Sequence, residues 1–281
     1  MISRAGHNME YDPVNDEMWH ANPEAQAILV FRGAADGEEA PTRVIQGPHT
    51  RLAFPNYGIG VDAVNDEVYV VDKEYILVYP RTAKGDVTPI REIKGPDTQL
   101  LNARAIIVDT ARNAIIVGTN NGLVIFDRNA DGNAKPRAVI SGPVSGIRVS
   151  KSAGTATQED LELRRRGNTG SAIQSMRESP KGYLVAVVGG RGGRGGDDDG
   201  AVDDSRPSRV YPGPGGGPAG IAAYRVDDLL KVSGHGDVSP VWVLNDPKGG
   251  LGVGRLALNP NNKEVILGGN KIVMYAYPEI F

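Results

Sequence analysis

The chain has 281 residues, of which 40% are hydrophobic and 23% charged, and it contains no cysteine. That composition supports a full hydrophobic core and excludes disulfides, thiol catalysis and cysteine-ligated zinc or iron–sulfur sites. A formal net charge of −3 gives no global attraction to nucleic acid or to an anionic membrane, and 37 glycines with 19 prolines favour many turns over long helices.

The opening MISRAGHNMEYDP lacks the apolar core of a signal peptide. No apolar run approaches the roughly 18 residues of a membrane helix, so no membrane span is expected. From residue 8 onward the chain repeats itself. Residues 8–50, 58–98 and 105–145 align, with Asp12, Asp62 and Asp109 at equivalent places 50 and 47 residues apart. Each unit holds four β-like runs. In the second these are GIGVD, EVYVVD, YILVYP and IREIKG, rich in Val, Ile and Tyr and bounded by turn residues.

Two further copies are degenerate. Residues 173–246 carry IQSMRESPKGYLVAVVGG, AGIAAYRV and SPVWVLND, and residues 255–281 carry three strands before the end of the sequence. A unit of roughly 40–50 residues with four strands is the signature of a propeller blade. The expected fold is therefore all-β: a single β-propeller domain of four-stranded antiparallel blades. Five repeats are recognisable and six blades are the alternative. Residues 1–6, which resemble the end of a fourth strand such as AVISGP, are expected to close the last blade, and a strand from another chain is the alternative.

The motifs GIGVDAVNDEVYVVD and YILVYPRTAKGDVTPIREIKGPDTQL, with their P-x-R-x-I-x-G-P-x-T ending, resemble the NHL-repeat and streptogramin-lyase-like bacterial β-propellers. The resemblance is good over 8–145, fair over 255–277 and poor over 146–254. It implies the fold far more than any chemistry, since such propellers include lyases, lactonases and binding scaffolds. Many are exported, and together with the absence of cysteine this leans the expected localisation outside the cytoplasm.

Two stretches depart from the repeat: 146–172, and the Gly-rich, acidic 189–219. Because successive strands of a blade reverse direction, both insertions fall on one face. Loops of this kind carry function more often than cores do, so that face is the expected place for a site. Its central mouth is expected to be lined by Asn56, Tyr57, Arg104 and Arg255, two of them arginines suited to a carboxylate or phosphate. His20, read as following a second strand, and His49, in a blade-to-blade connection, fall on the same face. A solvated surface role is the plainer expectation for both histidines. His7 and His235 have less context still. The triplets RGGRGG at 191–196 run directly into Asp197, Asp198 and Asp199, which repel phosphate, so no nucleic-acid partner is expected.

One stretch looks like a metal site. In FDRNADGNAKP the residues Asp127, Asn129 and Asp131, followed by Gly132, match the start of a calcium loop, but its twelfth position is Ala138 instead of a carboxylate. The aligned FRGAADGEEAP and YPRTAKGDVTP lack the ligands yet keep the glycine and the proline four residues on. A turn between third and fourth strands explains both. The recurring Asp12, Asp62 and Asp109 are likewise read as turn caps. No cofactor is expected, a divalent cation such as calcium being the alternative. The sequence thus predicts a non-enzymatic binding or assembly scaffold that contacts a protein partner or a second copy through the loop-bearing face or an open blade edge. The alternative is a metal-assisted lyase or lactone hydrolase at the central mouth.

Overall fold

A computed structural model of the chain describes residues 8–53, 58–147, 149, 173–188, 220–245, 255–268 and 272–281. The first blade is the antiparallel sheet β1 (Asn8–Asp12), β2 (Glu17–Asn22), β3 (Ala27–Arg32) and β4 (Arg43–Gln46), in that order. The second repeats it as β5 (Gly58–Asp62), β6 (Glu67–Asp72), β7 (Tyr75–Pro80) and β8 (Arg91–Lys94). The third uses β9 (Ala105–Asp109), β10 (Ala114–Thr119), β11 (Gly122–Asp127) and β12 (Ala138–Ile140).

In the fourth, β13 (Ile173–Glu178), β14 (Tyr183–Val188) and β15 (Gly220–Arg225) are followed by a one-turn helix α1 (Val226–Leu230) and the short β16 (Gly234–Gly236), before β17 (Trp242–Asn245) completes the sheet. The fifth comprises β18 (Arg255–Asn259), β19 (Glu264–Gly268) and β20 (Ile272–Ala276), three strands among the described residues. The chain is all-β, built of meander sheets of propeller-blade type. Sequence reading found neither α1 nor β16, because both sit where the repeat is degenerate.

The backbone divides into two compact units, residues 1–119 with 123–139, and residues 120–122 with 140–281. In the first unit one apolar cluster joins Trp19, Ile28, Val30 and Ile45 of blade one to Ile59, Val70 and Leu77 of blade two. A second joins Tyr69, Ile76 and Ile93 of blade two to Ile106, Val117 and Phe126 of blade three. Within the second unit, Val185, Ile221 and Ala223 of blade four meet Leu256, Val265 and Leu267 of blade five. Alternate residues of a strand thus pack on opposite neighbours, so a middle strand such as EVYVVD is buried at every position.

The recurring aspartates are turn caps. Asp12 Oδ1 accepts from Val14 N (2.9 Å) and Asn15 N (3.2 Å), while Asn15 Nδ2 donates to Asp12 Oδ2 (2.7 Å). Asp62 repeats the arrangement with Val64 and Asn65. At Asp109 the arginine Arg112 supplies both its backbone N–H and its guanidinium, each at 2.9 Å. These carboxylates are held by their own turns, which gives them a structural role in each blade.

Candidate functional site

Each G-P-x-T/S ending forms a clasp on the next turn. Pro48–Thr50 and Pro96–Thr98 are single 3-10 turns with proline at their start, where its missing N–H costs nothing. Gln46 N donates to Gly85 O (3.1 Å), Lys94 N to Gly132 O (2.9 Å) and Ser141 N to Gly236 O (3.0 Å). The residue after each of those glycines then grips the turn. Asp86 accepts from His49 N (2.7 Å), Asn133 from Asp97 N (2.9 Å), and Asp237 from Val144 N (2.9 Å) and Ser145 N (2.7 Å).

The glycines that begin the turns, Gly47, Gly95 and Gly142, have φ of 140°, 139° and 149°. A Cβ on any of them would lie within 2.4 Å of the gripping side chain. Only glycine fits there. Tyr224 closes the clasp in blade four by donating to Ser145 O (2.5 Å), and Tyr79 does so in blade two by donating to Thr50 O. Phe126 stands at the same place in blade three and has no hydroxyl to donate.

The candidates read from sequence fall around these clasps. His49 Nδ1 lies 2.6 Å from Asp86 Oδ2, on an imidazole that is otherwise exposed. That hydrogen bond is the leading cause that holds the Asp86 carboxyl below its ordinary range. His20 does not follow β2 but sits inside it, between Met9 on β1 and Leu29 on β3, in the register of Val70 in blade two. Burial depresses its pKa and keeps the imidazole neutral. His235 Nε2, on an exposed imidazole, lies 2.9 Å from the Oγ of the buried Ser141, whose backbone N donates to Gly236 O.

Asn56 and Tyr57 lie outside the described residues, as does most of both insertions. Arg104 is half-buried before β9, with its backbone N donating to Gly118 O (3.0 Å). Arg255 opens β18 opposite Gly268.

The calcium-like loop is occupied by protein groups. Asp127 pairs with Arg137 at 3.2 Å, and Asp131 Oδ1 accepts from Gly132 N (2.9 Å) and Glu92 N (3.0 Å). Among the described residues no group of three or more His, Cys, Asp or Glu side chains is placed to hold a metal ion.

Other charged groups also serve the scaffold. Glu67 accepts two hydrogen bonds from Arg91 (2.7 and 2.9 Å), one from Arg128 (2.7 Å) and one from Tyr69 (2.6 Å). Burial alone would raise its pKa, but the Arg91, Tyr69 and Arg128 contacts outweigh burial and hold the carboxyl below its usual range. Glu17 repeats this with Arg43 and Arg81. Asp72, donated to by Tyr75 at 2.7 Å, is pushed upward chiefly by burial. Each is explained by its neighbours.

The sequence pointed to an open edge in the last blade, but not to exposed side chains on its last described strand. The third strands β3, β7, β11 and β15 are buried along most of their length, whereas β20 alternates between exposed and half-buried residues. Ile272 is 74% and Met274 60% exposed. No described strand lies beyond β20 in its sheet, while β3, β7 and β15 each pair with a fourth strand. The missing fourth run was the available signal; IVMYA is apolar at every position and gave none for the exposed residues.

These sheets define the class: a β-propeller. A solved propeller agrees. The chain resembles the β-propeller domain of Cps50 (Swd1) from Myceliophteria thermophila, with a TM-score of 0.52 and 8% identity over 99% of this chain and 68% of that one. It also resembles hydrazine synthase from Kuenenia stuttgartiensis, with a TM-score of 0.52 and 11% identity over 93% of this chain and 55% of that one. At such identities the likeness establishes the fold alone. Neither a protein-family model nor a curated protein sequence matches the chain. No helix among the described residues is long and apolar enough to cross a membrane.

Proposed function

We propose that this propeller is a protein-binding scaffold that takes up an extended segment along the open edge of β20. The observation that carries this reading is the edge itself, where β20 is the last described strand of its sheet and alternates between exposed and half-buried side chains. An edge of unpaired backbone groups is a template for strand addition, in which main-chain hydrogen bonds give affinity and alternate side chains give specificity. The likeness to the Swd1 propeller and the NHL-type repeat motifs both suit a scaffold role.

The repeats indicate what such an edge accepts. Fourth strands are short, and each buries one isoleucine, Ile45 or Ile93, before the G-P-x-T turn. A fluorescein-labelled peptide REIKGPDTQL, copied from residues 91–100, tests the reading by anisotropy. Saturable binding is expected, and it should vanish when proline replaces the peptide's single isoleucine, the equivalent of Ile93, which must donate to the ladder. Equal binding of the proline peptide, or no binding of either, overturns the proposal.

A further inference from the structure

Blades one and two hold the same ion pair at the same place. In blade one Glu17, on β2, receives Arg43 of β4 on both oxygens, at 2.7 Å to Oε1 and 2.9 Å to Oε2. In blade two Glu67, on β6, receives Arg91 of β8 through the same atoms, also at 2.7 and 2.9 Å. Each arginine opens its fourth strand, two residues before the isoleucine which that strand buries, Ile45 or Ile93. The contact ties the fourth strand to the second across the third. A guanidinium fork suits that two-pronged geometry, and a lysine does not.

The acid and the arginine are kept or lost together. The acid lies opposite the end of the first strand: Asp12 pairs with Glu17, Asp62 with Glu67, Asp109 with Ala114 and Asn259 with Glu264. The arginine follows a backbone N–H that donates to the third strand, Thr42 N to Val30 O and Ile90 N to Val78 O. In blades three and four the same bonds run from Arg137 N to Ile125 O and from Val241 N to Ala223 O. Blade three therefore has Ala114 and Ala138 in the places of Glu67 and Arg91. Blade four has Tyr183, opposite Arg225 as Glu67 is opposite Pro80, together with Trp242. Neither blade retains one partner without the other.

Blade five keeps the acid. Asn259 and Asn262 donate their side-chain amides to Glu264, both to Oε2 and both at 3.2 Å. Oε1 is the oxygen that Arg43 and Arg91 reach at 2.7 Å. On Glu264 it meets no arginine or lysine among the described residues of the second unit.

We propose that Glu264 selects the segment that adds to β20, by pairing with an arginine two residues ahead of a buried isoleucine. The registers place the two side chains. Ile93 lies opposite Ile76 and Arg91 opposite Val78, and Ile272 and Met274 hold those positions on β20. The partner is thus an extended segment reading Arg-x-Ile, its isoleucine opposite Ile272 and its arginine opposite Met274. The two asparagines already order the carboxylate, which lowers the cost of the pairing. The inference rests on strand addition at β20 and adds what the added strand must carry.

The test uses the full chain, its Glu264→Gln and Glu264→Arg variants, and three peptides with fluorescein at the C-terminus. These are REIKGPDTQL and the same peptide with its arginine replaced by alanine or by glutamate. In anisotropy titrations at low salt the wild type should bind the arginine peptide about tenfold more tightly than the alanine peptide, as charge-assisted hydrogen bonds at a partly wet site do. The glutamate peptide should bind more weakly still, and the differences should narrow as salt is raised. Glu264→Gln keeps the shape of the side chain and should reduce the preference to about twofold or less. Glu264→Arg should reverse it in favour of the glutamate peptide. Circular dichroism checks the fold of both variants, and Glu264→Gln alone decides the matter if Glu264→Arg does not fold. Equal binding of the arginine and alanine peptides, or a preference for arginine that survives Glu264→Gln, overturns the selection and leaves strand addition standing. Binding of none of the peptides overturns strand addition and the selection together.

Discussion

Replacing Glu67 by alanine should destabilise the first unit by an amount set by the two arginines left behind. Glu67 is 11% exposed, and its partners Arg91 and Arg128 are 18% and 13% exposed. Removing one member of a buried ion pair costs about 3–5 kcal/mol, because the remaining charge is stranded away from water. Water reaches this cluster in part, which trims the expected loss to about 2–4 kcal/mol. Glutamine keeps the shape and an acceptor oxygen, so Glu67→Gln should lose about half as much.

The assay is urea denaturation followed by tryptophan fluorescence. The chain has two tryptophans, and Trp19 lies fully buried in the core of the first unit. In a Trp242→Phe background the signal therefore reports that unit alone. A double-mutant cycle between Glu67→Ala and Arg128→Ala should return a coupling of about 1–3 kcal/mol. Acid supplies an internal check. The Glu67 pKa is lowered on folding, so its contribution is complete above the usual carboxylate range and disappears as pH falls through the folded-state value. The stability gap between wild type and Glu67→Gln should accordingly close on acidification. A loss below about 0.5 kcal/mol for Glu67→Ala, within the scatter of ordinary surface substitutions, would refute the assignment of this cluster as a blade-joining element.

Ile76→Ala should cost about 2–5 kcal/mol by opening a cavity between blades two and three. Ile272→Ala, the same register position in blade five, should leave the melting temperature within a degree or two, because little is lost from a side chain already largely in water. Phe126→Tyr should raise stability by about 0.5–1.5 kcal/mol in thermal or urea unfolding, since the new hydroxyl meets Thr98 O as Tyr79 meets Thr50 O. Incubation with EDTA should leave the melting temperature unchanged, because Asp127 and Asp131 are held by Arg137 and by backbone N–H groups; a downward shift would identify a bound cation.

The fold was legible because strands report themselves by period and turn chemistry, and a repeat gives several readings of each. The four runs expected in the second unit lie on β5 to β8, and the glycine and proline shared by FDRNADGNAKP and its aligned copies are explained by one recurrent turn. The clasp was present as a string, G-P-x-T, but its meaning was not. The residues that grip it, Asp86, Asn133 and Asp237, lie 36 to 93 residues away from the groups that they hold, and contact across blades leaves no local periodicity. His20 was misplaced for a similar reason. It was read as following the second strand, whereas register puts it inside β2 at a half-buried position that valine fills in the next blade. Neither α1 nor β16 could be aligned, because blade four has lost the spacing on which the alignment rests.

A chain built of repeats gains stability mainly where neighbours meet, so the terminal repeats must be capped or covered. Blade two illustrates the covered state. Both of its faces are packed, β6 is buried throughout, and its acid Glu67 is held by arginines from its own fourth strand and from blade three. Blade five holds the same kind of acid, Glu264, but its described partners are the side chains of Asn259 and Asn262 from its own turn. Its third strand, β20, has kept large apolar residues at Ile272 and Met274, where a capping repeat would carry charge. Apolar side chains at those positions cost solubility in an isolated monomer and stabilise an assembly. The composition of blade five is therefore closer to that of a middle repeat than to that of a cap.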